Sequence, residues 1–69
     1  MICLEILEEM EALEDELSEN FDAQHYVESV MSKARDICDN VERFERESDG
    51  QIRAMQNMRD GMEKWLKDF

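Results

Sequence analysis

An all-α fold is predicted: an antiparallel helical hairpin followed by a third helix, together a small three-helix bundle. Three observations predict it. The 69 residues include no Pro and two Gly, and strong helix formers are common while Val, Thr and aromatics are few. The apolar residues recur at steps of three and four, which is a helix period. Polar start signals near Asn20 and Ser48 divide that pattern into helices of about 2–19, 21–47 and 51–68. Residues 1–69 are enough for one domain, and 42% apolar residues at regular spacing argue against disorder. At this size burial barely exceeds conformational entropy, so broad apolar faces on all three helices favour a homodimer.

The first helix carries Ile2, Cys3, Ile6, Leu7, Met10, Leu13, Leu17 and Phe21 on one face. Between them stand nine carboxylates: Glu5, Glu8, Glu9, Glu11, Glu14, Asp15, Glu16, Glu19 and Asp22, with no Lys or Arg. Like charges one turn apart, such as Glu5/Glu9 and Glu11/Asp15, each cost a few tenths of a kcal/mol. Glu16 and Glu19 also oppose the helix dipole at its C-terminal end. Local stability does not account for this charge.

Asn20 is the expected N-cap of the second helix, with Asp22 in its first turn. Its apolar positions are Val27, Val30, Met31, Ala34, Ile37, Cys38, Val41 and Phe44. Asp39/Arg43 and Glu42/Arg46 have i, i+4 spacing on its polar side. A hinge near Asn20 sets an antiparallel register that brings Cys3 to Cys38, Leu7 to Ala34 and Met10 to Met31.

Ser48 with Gln51 three residues on is a capping box that opens a third helix; alternatively Gly50 is a C-cap. Against a break, Ala34, Val41, Ser48, Met55, Met62 and Phe69 keep a seven-residue phase. The alternative is therefore a short helix packed on one long continuous helix from 21 to 68, within a dimer. Lys64 and Lys67 suit the C-terminal end of the last helix.

The net charge is −11. Residues 1–22 hold nine acids and no base, hence −9; residues 23–69 hold ten acids and eight bases, hence −2. Direct nucleic-acid binding needs clustered Lys and Arg, so it is not expected. An anionic membrane surface is disfavoured for the same reason. A basic protein surface is the natural complement. The first residues lack a basic n-region and a long apolar run, so no signal peptide is expected. Two Cys suit a reducing, cytoplasmic setting as well as a secreted one.

Carboxylates one helical turn apart stand about 5–6 Å from each other, and DNA carries a charge every ~3.4 Å along each strand. An acidic helix can thus occupy a groove built for nucleic acid. The expected function is a small acidic inhibitor that acts as a phosphate mimic towards a basic, nucleic-acid-binding protein. Glu5, Glu8, Glu9, Glu11, Asp15, Glu16 and Glu19 would make the contacts. A solvated face that only keeps the chain soluble is the plainer reading. The alternative function is a helical adaptor or oligomerisation module whose partner face is Met55, Met58, Met62, Trp65 and Phe69. The same stripe reads equally as core packing.

Cys3 and Cys38 read as small buried hydrophobes, with a disulfide possible if the register holds. Asp22-x-x-His25 has the spacing of helical carboxylate metal sites, but a surface His beside the turn is the better reading. No phosphate-binding Gly loop, zinc spacing or Ser/His/Asp set is present, so neither enzyme activity, a metal nor a cofactor is expected.

Overall fold

A computed structural model describes Met1 through Asp68. The described residues are helical, without strands: α1 spans Ile2–Glu16, a 3₁₀ turn spans Phe21–Ala23, α2 spans Gln24–Phe44 and α3 spans Asp49–Lys67. Phe69 lies outside the described residues. No described helix is long and apolar enough to cross a membrane.

The three-helix expectation holds, with shifted boundaries. α1 ends at Glu16 rather than Glu19: the Ser18 and Asn20 N–H groups bond the Asp15 and Leu17 carbonyls three residues back, so a turn replaces the α-helical ladder. Asn20 is a cap as expected: its backbone is extended and its side chain accepts from the Ala23 N–H at 3.2 Å. What it caps is a 3₁₀ turn, which then runs into α2. α2 stops at Phe44, three residues early, and α3 starts at Asp49, two residues early.

The continuous helix from 21 to 68 is overturned. Glu45 adopts φ 54, a left-handed conformation that usually falls to Gly, and its N–H and that of Arg46 both reach the Val41 carbonyl. Gly50 is not the C-cap; it lies inside α3. Ser48 opens α3 with the expected capping box. Its hydroxyl accepts from the Gln51 N–H at 3.1 Å, and the Gln51 side chain accepts from the Ser48 N–H at 2.8 Å. The seven-residue phase survives because Ala34 and Val41 on α2, and Met55 and Met62 on α3, all face one core.

The antiparallel register of α1 and α2 holds at both ends. The Cys38 thiol lies 3.5 Å from the Cys3 carbonyl. At the hinge, Gln24 Nε2 donates to the carbonyls of Leu17, Ser18 and Asn20 at 2.8–3.2 Å. These carbonyls lie in the connection where α1 ends, so the one amide ties the hinge to the start of α2. Met10, Leu17, Met31, Met55 and Met62 are the largest fully buried side chains. α1 packs against both other helices, while α2 and α3 touch each other least.

Three apolar residues assigned to the buried faces lie in the open instead: Ile2 at 46% exposure, Phe44 at 64% and Phe21 at 92%. Each sits at a helix end or in the hinge. Asp39/Arg43 and Glu42/Arg46 form no ion pair among the described residues; four of the five pairs present involve residues other than i, i+4 partners.

Candidate functional site

Each residue of an α-helix turns by about 100°, so the nine-carboxylate segment is sorted by geometry. Cys3, Ile6, Met10 and Leu17 define the buried side. Glu9 falls on the flank towards α3, and its carboxylate lies 2.8 Å from Arg59 Nη1. Glu11 and Glu14 fall on the other flank and share Arg35 of α2, at 4.0 and 3.3 Å. Glu5, Glu8, Asp15 and Glu16 point away from the core, and Glu19 follows in the hinge. All five are exposed, and none has a cation within ion-pair distance among the described residues. Ala12 interrupts this outward ridge midway. The seven proposed contact residues are thus divided: five on the ridge, and Glu9 and Glu11 drawn into interhelical pairs.

Arg59 is the more embedded of the two arginines, with 26% of its side chain exposed against 50% for Arg35. Besides Glu9 it reaches Asp60 at 3.3 Å and Glu63 at 3.9 Å. The hydrogen bond that Arg59 donates to Glu9 is the chief reason its guanidinium pKa lies above the ordinary value. An exposed pair contributes little alone, but this cluster ties α3 to α1.

The N-terminus of α1 has no side-chain cap of its own. Glu47, in the α2–α3 connection, supplies one from across the fold. Its Oε2 accepts from the Ile2 N–H at 3.0 Å and its Oε1 from the Cys3 N–H at 2.9 Å. A carboxylate there meets both the orphan donors and the positive end of the dipole. The hydrogen bond from Cys3 is the chief reason its pKa lies below the ordinary 4.5.

The alternative apolar face does not assemble as a surface. Met55 and Met62 are fully buried in the core, and only Met58 and Trp65 remain half-buried. Phe69 lies outside the described residues. The spacing of these methionines therefore belongs to packing. Cys3 and Cys38 are free thiols in the core. Burial, with the Glu47 carboxylate adding to it, pushes the Cys3 thiol from 9.0 to about 11. Cys38 is raised too, by burial and then by Glu42 and Asp39. Neither is an activated nucleophile. His25 is exposed, and no group of three or more His, Cys, Asp or Glu gathers as a metal site among the described residues.

Two grooves mark the surface of the described residues. One of about 400 Å³ is lined by Tyr26, Gly61, Lys64, Trp65 and Asp68. The Tyr26 and Trp65 rings lie 6.0 Å apart, tilted by 38°. Gly61 lets the Tyr26 hydroxyl approach the α3 backbone closely; a side chain at 61 would oblige the tip of Tyr26 to shift. The other, of about 570 Å³, is lined by Asn40, Phe44, Arg46, Glu47, Ser48 and Gln51.

Sequence reasoning missed Arg35, Arg59, Glu47 and Gln24. Arg35, Arg59 and Glu47 meet partners 21 to 50 residues away, and Gln24 reaches back over the hinge by 4 to 7, so no local pattern marks them. No family model, curated protein or solved structure matches the chain.

Proposed function

We propose that the chain is a small protein-binding inhibitor that presents the carboxylates of α1 as a phosphate mimic to a basic, nucleic-acid-binding protein. The observation that carries this reading is the outward ridge of Glu5, Glu8, Asp15, Glu16 and Glu19, exposed and without intramolecular cations among the described residues. The pairs made by Glu9, Glu11 and Glu14 narrow the site to those five. A basic cleft that receives them supplies the counter-charge that the fold does not. A cytoplasmic anti-defence protein of a phage or other mobile element is a setting that suits such a part, by analogy alone.

The test is capture from cell lysate at low and high salt, followed by competition with duplex DNA. Under this reading the bound proteins are basic, are released as salt rises, and are displaced by DNA. Partners retained at high salt and indifferent to DNA would sink it. The adaptor reading keeps one supporting observation, the half-buried Tyr26–Trp65 groove. It predicts capture that survives salt and fails on Trp65→Ala.

A further inference from the structure

Both grooves lie on the seam between α2 and α3, and α1 lines neither. Tyr26 and Phe44 are 18 residues apart, five whole turns, so they stand on the same flank of α2, about 27 Å from each other. The seam therefore has an apolar slot at one end, floored by Tyr26, Trp65 and the Gly61 backbone. At its other end is an aromatic knob, Phe44, 64% exposed. Half-buried Ile37 and Met58 lie on the flanks between them.

We propose that a second copy of this chain covers the seam, in an antiparallel two-fold pair in which Phe44 of each copy fills the Tyr26–Trp65 groove of the other. A knob and a slot at opposite ends of one face are self-complementary under that symmetry, and the pair closes on itself without extending into a filament. Charge fits the same arrangement. The ionic groups lining the grooves are Arg46, Glu47, Lys64 and Asp68, two of each sign. Antiparallel pairing sets the Lys64/Asp68 end of one copy against the Arg46/Glu47 end of the other. Because α1 packs on both other helices, its acidic ridge faces away from the seam. Two chains of net charge −11 then meet with their ridges pointing in opposite directions.

Size sets the strength. The molecule measures 36 × 16 × 15 Å between Cα atoms, so its long side offers a footprint on the order of 500 Å² per copy, in the range of weak, reversible association. This inference does not rest on the phosphate-mimic reading, and it is tested without any target.

The experiment is analytical ultracentrifugation of the full chain over about a hundredfold range of concentration, with Trp65 emission followed in parallel. Trp65 is the only Trp, so it reports on the groove directly. The expected result is a monomer–dimer equilibrium in which emission shifts to the blue as dimer forms. Phe44→Ala should weaken the dimer by about tenfold or more and abolish the shift, as loss of an aromatic anchor does. Lys64→Glu, an exposed change, should also weaken it, in a salt-dependent way. Glu8→Gln with Asp15→Gln should leave it unchanged. A chain that stays monomeric throughout overturns the proposal and leaves the seam to a helix of another protein. So does a dimer that ignores both Phe44→Ala and Lys64→Glu, or one that depends on the α1 ridge.

Discussion

Glu8 and Glu9 adjoin in the chain, share one helix and carry the same charge. Glu9 lies 2.8 Å from Arg59, whereas Glu8 meets no cation among the described residues. The same division separates Glu11 and Glu14, which share Arg35, from Glu5, Asp15, Glu16 and Glu19, which have no such partner. One helix thus holds two populations of carboxylate. The flank carboxylates help place α1 between its neighbours. The outward ones add self-repulsion, and no ion pair among the described residues offsets it. A charge excess read from composition alone overstates the available site, because part of it is consumed by packing.

The largest expected effect lies on the outward set. Reversing Glu8, Asp15 and Glu16 to Lys should cut salt-sensitive target binding on the order of a hundredfold, while circular dichroism shows an intact bundle. The same reversal at Glu9, Glu11 and Glu14 should cost less binding and more stability. Equal binding losses from the two sets would erase the distinction between them.

Next comes the side of α1 opposite the ridge. Met10 is fully buried, so Met10→Ala should destabilise the fold by about 2–5 kcal/mol, read from denaturant midpoints. A smaller loss, about 0.5–1 kcal/mol, is expected for Arg59→Ala, since the pairs it removes are partly solvated. Arg35, more exposed, should matter less still. Glu8→Gln should be neutral or stabilising by a few tenths of a kcal/mol, because it relieves repulsion from Glu5 and Glu11. Sharp destabilisation by Glu8→Gln would mean that the ridge has a structural role after all.

Acid sharpens the contrast in another way. Glu47 is a carboxylate whose folded pKa is depressed, chiefly by the hydrogen bond from Cys3. Its contribution is complete above the ordinary value of 4.5 and is lost as pH falls through the lower, folded value. Glu47→Gln should therefore reduce the dependence of stability on pH below 4.5, measured by thermal melts across that range.

Much of the architecture was readable from local chemistry. The Ser48/Gln51 box announced α3, and Asn20 announced the turn into α2. The hinge position alone sufficed to bring Cys3 to Cys38. The errors had local causes as well. A seven-residue apolar phase argued for a continuous helix, but phase cannot distinguish one helix from two that face a common core. Phe21, Phe44 and Ile2 fit the apolar period, and period says which way a side chain points, not whether another helix extends far enough to cover it. The Met55–Met62 stripe was equally compatible with core and with surface. Only the position of α1 between the other two helices decided for core.

By itself the sequence determined the helical class and the acidic character of the first helix, because propensity, period and charge act within a few residues. Tertiary structure alone decided which carboxylates remain unpaired, that Glu47 caps a helix 44 residues away, and that the α2–α3 seam is the open one. Those outcomes depend on which flank of each helix meets a neighbour. That is set by how three apolar faces share one core, and no single stretch of chain contains it.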